Sequence, residues 1–281
     1  MMLAFLFFFG LAIGSFLNVL VLRFNTGENL RGRSRCFSCL KKLSWVDLVP
    51  LASYMVVRGR CRYCGSKISA QYPIVELATA IVFTITGWVM LGTEFKIVST
   101  PFVLEFLAIL AFFSILIAIS VYDIRHKIIP DQLSLALFVV AVLFEGIDAY
   151  QRVYEGAEPV FSRILSMTTS STVLYDIIGA VCAFLFFASI WFLSRGMWMG
   201  FGDAKLALSL GLFLGYPGVI FGIVLAFWLG SIFGIAMLAL GSYTGKTEVP
   251  FAPFLALGTF VAFVLIVGNF VPWYYNHVTV I

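Results

Sequence analysis

Long apolar runs, each nearly free of charge, recur along most of this 281-residue chain. Residues 1–22, 177–194 and 206–245 contain no charged side chain at all. A helix needs about 20 mainly apolar residues to cross the roughly 30 Å hydrocarbon core of a bilayer. The chain is 62% hydrophobic and 11% charged, whereas soluble domains carry about 45–50% apolar and about 25% charged residues. The composition excludes a soluble enzyme and a disordered chain, and it predicts an all-α polytopic membrane protein.

The apolar runs predict about eight transmembrane helices. Within residues 206–245, Gly215-Tyr216-Pro217-Gly218 combines glycine and proline, the strongest local turn signal, and divides the run into two spans. The sixth span, from Asp203 to this turn, is only about 20 Å of helix and is expected to be short or to begin in a water-filled dip. Residues 1–22 are expected to remain as an uncleaved span, because no basic residue precedes them and Arg23 follows. The predicted spans are 1–22, 77–93, 102–122, 128–144, 177–194, two within 206–245, and 251–271.

One polar block interrupts the spans and sets the orientation. Ten of the 18 lysines and arginines lie between Arg23 and Lys67. Cytoplasmic loops carry an excess of basic residues, so this block is predicted to face the cytoplasm and the N-terminus to lie outside. The predicted organisation is a first transmembrane helix over 1–24, a cytoplasmic insert over 25–72, and a transmembrane domain over 73–281.

Four cysteines in the insert form two Cys-x2-Cys pairs: Cys36, Cys39, Cys61 and Cys64. Paired turns of this kind present four thiolates to one ion, which is typical of a tetrahedral structural zinc site. So small an insert lacks a core of its own and is expected to need a metal to fold. Disulfides are the alternative, disfavoured on the reducing side of the membrane. The fifth cysteine, Cys182, is interpreted as a packing residue.

Two aspartates at span ends are candidates for catalysis, because charge at a membrane span is expensive. Asp123 closes the third span, and Asp203 opens the sixth after Gly200-Phe201-Gly202. Two complete crossings separate them, so both lie on one face of the membrane. Adjacent carboxyl groups share a proton, which lets one activate water while the other donates to a carbonyl oxygen. The open alternatives are that Asp203 caps its helix and that Asp123 pairs with Arg125 or Lys127.

The ordered motifs resemble those of the prepilin peptidases (type IV leader peptidases), which are GxGD-type membrane aspartic proteases. The motifs that carry this resemblance are Gly14-Ser15-Phe16-Leu17-Asn18-Val19, the four cysteines, Gln71-Tyr72-Pro73-Ile74-Val75-Glu76, Asp123 with Ile129-Pro130-Asp131, and Gly200-Phe201-Gly202-Asp203 with Lys205. The resemblance implies that Asp123 and Asp203 are the catalytic pair. It implies that the substrate is the basic leader of type IV prepilins or pseudopilins, cut at the cytoplasmic face of the bacterial inner membrane.

The resemblance also implies N-methylation of the new N-terminus with S-adenosylmethionine, although no glycine-rich nucleotide loop assigns residues to that donor. The expected partners are prepilin precursors and membrane lipid, with no nucleic acid. Two other functions fit some of the motifs: a presenilin-like or signal-peptide-peptidase-like intramembrane protease, and a non-enzymatic transporter or scaffold.

Overall fold

The described residues of the protein are almost entirely helical. The computed structural model describes residues 1–25, 32–92, 100–151, 169–241 and 249–268, and over these ranges it contains no strand beyond two isolated bridges in the insert. The helices are α1 (Met2–Arg23), α2 (Ala52–Val56), α3 (Gln71–Gly92), α4 (Thr100–His126), α5 (Asp131–Tyr150), α6 (Thr169–Ser194), α7 (Phe201–Leu214), α8 (Gly218–Ala239) and α9 (Ala252–Val267). The chain divides into two compact units, Met1–Trp88 and Val89–Ile281.

Six of the helices are long and apolar enough to cross a membrane: α1, α3, α4, α5, α6 and α8. This confirms the predicted all-α polytopic membrane class. The two remaining predicted spans each contain a shorter helix, α7 with 14 residues and α9 with 16 residues. The number of eight crossings therefore stays a prediction. The predicted last span, 251–271, runs beyond residue 268 and its end lies outside the described residues.

In the first unit, α1 packs against α3 through two glycines one helical turn apart. A Cβ atom at Gly10 would lie 2.6 Å from the Cα of Ala80, and one at Gly14 would lie 2.7 Å from the Cα of Glu76. Small residues at this spacing let two helix backbones approach closely where lipid offers no hydrophobic driving force for association. The insert lies between these two helices in the chain.

In the second unit, α7 is the buried helix around which the others pack. It contacts α5, α6, α8 and α9, and ten of its residues are buried. At its C-terminal end Phe213 stacks on Phe112 of α4 with ring centroids 3.9 Å apart and contacts Phe144 of α5 and Phe263 of α9. Beyond Lys205, α7 carries no charged residue, and a helix that is apolar on all sides over such a stretch belongs in the interior.

The predicted break between the sixth and seventh spans is confirmed at Gly215. Helix α7 ends at Leu214, α8 begins at Gly218, and Gly215 has a φ of 65°, which favours glycine. The buried Asp176 of α6 accepts a hydrogen bond of 2.9 Å from the Tyr216 N–H. Non-helical backbone at membrane depth is tolerated only where protein or a cavity satisfies it, and Asp176 supplies that acceptor.

Candidate active site and candidate metal centre

The two Cys-x2-Cys pairs form loops with the same local structure. In the first loop the Cys36 N–H donates to the Lys41 carbonyl (3.0 Å), and in the second the Cys61 N–H donates to the Ser66 carbonyl (2.8 Å). The residue after each second cysteine, Leu40 or Gly65, has a positive φ, 57° and 72° respectively. Both loops therefore turn back in the same way and direct their thiols to one point.

The four thiols fit a tetrahedral metal ion. The Sγ atoms of Cys36, Cys39, Cys61 and Cys64 all lie within 4.8 Å of one another, and those of Cys36 and Cys64 are 3.9 Å apart. Zinc–sulfur bonds of about 2.3 Å separate the sulfurs of a tetrahedral site by about 3.8 Å. All five cysteines are free thiols, so the pairs do not form disulfides. The cluster can hold zinc.

Hydrogen bonds favour the thiolate form that a metal requires at Cys36 and Cys64, whereas the pKa of Cys39, lowered by the Lys41 N–H but raised more by desolvation and by the Cys36 and Cys64 thiols, lies at about 11. The backbone N–H groups of Cys39 and Ser38 lower the pKa of the Cys36 thiol to about 6, and the Ser66 hydroxyl lowers the pKa of Cys64. Metal ions bind the thiolate, not the thiol. With four sulfur ligands, such a site has no open coordination position and serves the fold.

Asp47 joins the second cysteine loop to the segment between the two pairs. Its carboxylate accepts hydrogen bonds from the Ser44 hydroxyl (2.7 Å) and the Tyr63 hydroxyl (3.0 Å), and it forms an ion pair of 3.2 Å with Arg62. These contacts, with the Ser44 hydroxyl as the largest cause, lower the pKa of Asp47.

Glu76 connects the insert to the membrane helices of the first unit. This buried carboxylate of α3 accepts a 2.9 Å hydrogen bond from the Leu51 N–H. Leu51 has a φ of 56°, and the N–H that follows it, from Ala52, donates to the Pro50 carbonyl at 2.6 Å. A tight turn with positive φ at a leucine is strained, so the contact with Glu76 holds a conformation that the turn alone disfavours.

Asp123 lies in the last turn of α4, where the helix ends. The helix ends just before Lys127, which has a φ of 54° and donates its N–H to the Asp123 carbonyl at 2.7 Å. The Asp123 side chain is 5% exposed, and its Oδ2 accepts a 3.1 Å hydrogen bond from the N–H of Ala252, the first residue of α9. Helix α9 thus supplies a donor to a side chain 129 residues earlier in the chain.

Asp203 lies in the first turn of α7. It is 7% exposed, and the N-cap residue of the helix is Gly200, whose backbone N–H forms a hydrogen bond with the Asp203 carboxyl group. The segment after α4 reaches this turn, because a Cβ atom at Gly202 would lie only 2.8 Å from the Cβ of Ile129. The second glycine of Gly200-Phe201-Gly202-Asp203 is therefore required by the close approach of Ile129.

The structure brings Asp123 and Asp203 together in the second unit. Both carboxyl groups are buried, and they are close enough to interact electrostatically. Beside them, the exposed Asp131 at the start of α5 forms a 2.6 Å ion pair with Lys205 of α7, which ties the same two segments together. Two buried carboxyl groups that interact in this way disfavour each other's ionised form.

The sequence interpretation did not find the N-terminus of α9 at this site. A signal was present, since Pro250 and Pro253 flank Ala252 and proline is favoured at the start of a helix. The crossing count that places Asp123 and Asp203 on one face also returns the chain to that face at the start of α9. The same count of membrane crossings therefore places Ala252 on the face of the membrane where Asp123 and Asp203 lie.

Comparisons with known proteins agree with this geometry. Residues 8–90 match the bacterial peptidase A24 N-terminal domain, and residues 110–235 match the type IV leader peptidase family. A protein of Klebsiella pneumoniae is 30% identical over 77% of this chain and 86% of its own length. One of Bacillus subtilis is 29% identical over 93% and 94% of the two chains, and one of Xanthomonas campestris is 28% identical over 90% and 88%.

Each of these three relatives is named prepilin leader peptidase/N-methyltransferase. No solved structure matches the chain. The second family match contains both Asp123 and Asp203, and the first contains all four cysteines of the insert. The chain belongs to the type IV leader peptidase family.

Proposed function

We propose that this protein is a prepilin leader peptidase of the bacterial inner membrane and that Asp123 and Asp203 carry out the cleavage. The observation that supports the proposal is the burial of these two carboxyl groups, within range of each other's charge, at the C-terminal end of α4 and the N-terminal end of α7. The substrate is the basic leader of a type IV prepilin or pseudopilin, as the names of the relatives suggest.

In this reaction one carboxylate removes a proton from water, and the resulting hydroxide attacks the carbonyl carbon of the scissile peptide bond. The protonated partner donates a hydrogen bond to the carbonyl oxygen as negative charge develops there. Collapse of the tetrahedral intermediate breaks the C–N bond, and the proton taken from water goes to the leaving amine. No residue type other than a carboxyl pair is needed.

The test is cleavage of a purified prepilin by detergent-solubilised protein carrying Asp123→Asn or Asp203→Asn. Each variant is expected to lose at least about 1,000-fold in kcat, since a dyad member has no substitute. The matched control is Glu105→Gln, a buried acid on the same helix about 27 Å from Asp123; we expect it to stay within about threefold of wild type. Full activity in either aspartate variant refutes the assignment.

The position of the cleaved bond separates this function from intramembrane proteolysis. With the insert and both aspartates at the cytoplasmic face and the N-terminus outside, as the basic residues of the insert favour, the leader remains in the cytoplasm and is cut there. Mass spectrometry of the product should give a cut at the leader junction. A cut inside the apolar segment of the substrate supports the presenilin-like alternative instead.

The names of the relatives also support N-methylation of the new N-terminus, with S-adenosylmethionine as the methyl donor. The expected product of incubation with that donor is a mature pilin heavier by one methyl group. A processed pilin that never gains this mass removes the second activity and leaves the peptidase assignment intact.

We further propose that the four-cysteine cluster holds one structural zinc ion. The supporting observation is the match between its sulfur separations and a tetrahedral site. Metal analysis of the purified protein should give one zinc ion per chain. The double variant Cys39→Ser/Cys64→Ser should contain no bound zinc.

A further inference from the structure

Only one of the two carboxyl groups receives a hydrogen bond from the backbone of a third helix. The Ala252 N–H that donates to Asp123 is the first of α9, and the first N–H groups of a helix lack partners within it and carry partial positive charge. The next residue, Pro253, has no N–H. The free donor at the start of α9 is therefore directed at Asp123.

Ser120, one turn earlier on α4, contacts the same residue of α9. Its hydroxyl donates to the Leu116 carbonyl at 2.8 Å and lies 3.5 Å from the Ala252 carbonyl. The proton of this hydroxyl is used on Leu116, so the approach to Ala252 is a packing contact. Helix α4 packs against α9 here, which holds the Ala252 N–H at Asp123 before substrate binds, and electrostatic catalysis requires such preorganisation.

Asp203 has a different environment. Its Oδ1 is buried and accepts no hydrogen bond from any residue that the structure describes. The carboxyl group does receive a backbone hydrogen bond from Gly200, at the start of its own helix. A buried ionised carboxylate with too few donors is costly, whereas a neutral carboxyl group can donate its own proton. The pair is therefore asymmetric in its hydrogen bonding.

We propose that the Ala252 N–H holds Asp123 as the ionised base of the pair and leaves the shared proton on Asp203. In the reaction proposed above, on which this inference rests, Asp123 removes the proton from water and Asp203 donates to the substrate carbonyl oxygen. Ala252 is a positioning residue: it acts through Asp123 and does not touch the substrate.

Few other charges at this end bear on the assignment. Helix α4 carries Arg125 and His126 beyond Asp123, α5 begins with Asp131, and α7 carries Lys205; the last two pair with each other. Lys127 follows α4 and Arg195 follows α6. Helices α8 and α9 contain no charged residue, and the one acid of α6, Asp176, lies at the turn after α7. The two carboxyl groups therefore differ in the donor that α9 gives to Asp123 and in the buried Oδ1 of Asp203, which no described donor reaches.

The proton assignment is testable in the wild-type protein without any prepilin. An aryl epoxide alkylates carboxylate ions, and a diazoacetyl ester with Cu²⁺ alkylates protonated carboxyl groups. Peptide mass spectrometry should find the epoxide on Asp123 and the diazo reagent on Asp203, with the preference lost after denaturation. Labelling with the opposite preference, or without preference, overturns the assignment whether or not the protein cleaves prepilin.

The role of Ala252 is tested by Ala252→Pro, which removes the N–H at a helix position where proline is favoured. We expect kcat to fall about 10- to 100-fold, as for a lost hydrogen bond to a charged group, with KM little changed and the acidic limb of the pH–rate profile at higher pH. The conservative Ala252→Gly keeps the donor and should retain activity within about threefold.

The two variants separate a catalytic effect from a structural one. Equal loss in Ala252→Pro and Ala252→Gly, with an unmoved pH–rate profile, means that α9 acts only through packing and overturns the inference. A wild-type protein that cleaves nothing refutes the proposed function, and the labelling pattern then still decides the proton assignment.

Discussion

At the scale of single residues, the close contact between Gly202 and Ile129 explains why a glycine precedes the aspartate of α7. A side chain at position 202 would overlap Ile129, which belongs to the segment that follows Asp123 in the chain. The glycine therefore lets the two aspartate-bearing segments meet. Gly200, two residues earlier, is different, because a Cβ atom there would find its nearest neighbour at 3.8 Å, an ordinary contact.

This difference gives a matched pair of substitutions. Gly202→Ala forces Ile129 or the first turn of α7 to move, so we expect a destabilisation of about 1–3 kcal/mol and a clear loss of peptidase activity. Gly200→Ala adds the same methyl group where space exists and should have a small effect. Thermal unfolding in detergent and prepilin cleavage measure both. Equal behaviour of the two variants contradicts the steric explanation.

At the scale of elements, the turn between α7 and α8 shows how a buried acid stabilises irregular backbone. The acceptor for the Tyr216 N–H is Asp176 of α6. This acid is 7% exposed and serves the turn. A helix of 14 residues is about 21 Å long, so its end remains within the apolar layer if it starts at the surface.

Removing that acceptor should lower stability. Asp176→Ala leaves the Tyr216 N–H without its bond and is expected to cost about 1–3 kcal/mol, seen as a lower unfolding temperature in detergent. Asp131→Asn removes an acid from an exposed ion pair with Lys205, and such pairs contribute less than about 1 kcal/mol. A larger loss in Asp131→Asn than in Asp176→Ala would contradict this ranking.

The elements and the metal cluster could be predicted from the sequence because their signals are local. Apolar runs mark the helices, Gly215 and Pro217 mark the break, and two Cys-x2-Cys pairs mark the cysteine cluster. Asp123 and Asp203 were identified as candidates by their places at span ends. The contacts of Asp47 with Tyr63 and of Ala252 with Asp123 have no such local signal, since each joins residues far apart in the chain.

At the scale of the whole molecule, the chain keeps its candidate metal centre and its candidate active site in different units. The cysteines lie in Met1–Trp88, and both aspartates lie in Val89–Ile281. The insert has few buried apolar side chains, with Cys61 as the one buried hydrophobic residue among positions 32–70. We therefore expect its fold to depend on the proposed zinc ion more than on a core.

We therefore expect removal of the metal to expose the insert of the first unit to protease and to leave the second unit unaffected. After treatment with a strong chelator, trypsin should cut within the insert at its many basic residues, while the fragment from α4 to α9 stays intact. Mass spectrometry of the fragments, with and without added zinc, measures this. Faster digestion throughout the chain, or an unchanged rate of digestion in the insert, would contradict the expectation that the metal stabilises only the first unit.

The twin cysteine loops have a consequence for how the insert assembles. Each loop closes through its own main-chain bonds, the first between Cys36 and Lys41 and the second between Cys61 and Ser66. Neither loop needs the other to form its turn, so each would present two sulfurs to an ion before the four come together. One loop alone would supply only half of the ligands that a tetrahedral site requires, and we expect it to bind the ion weakly and reversibly.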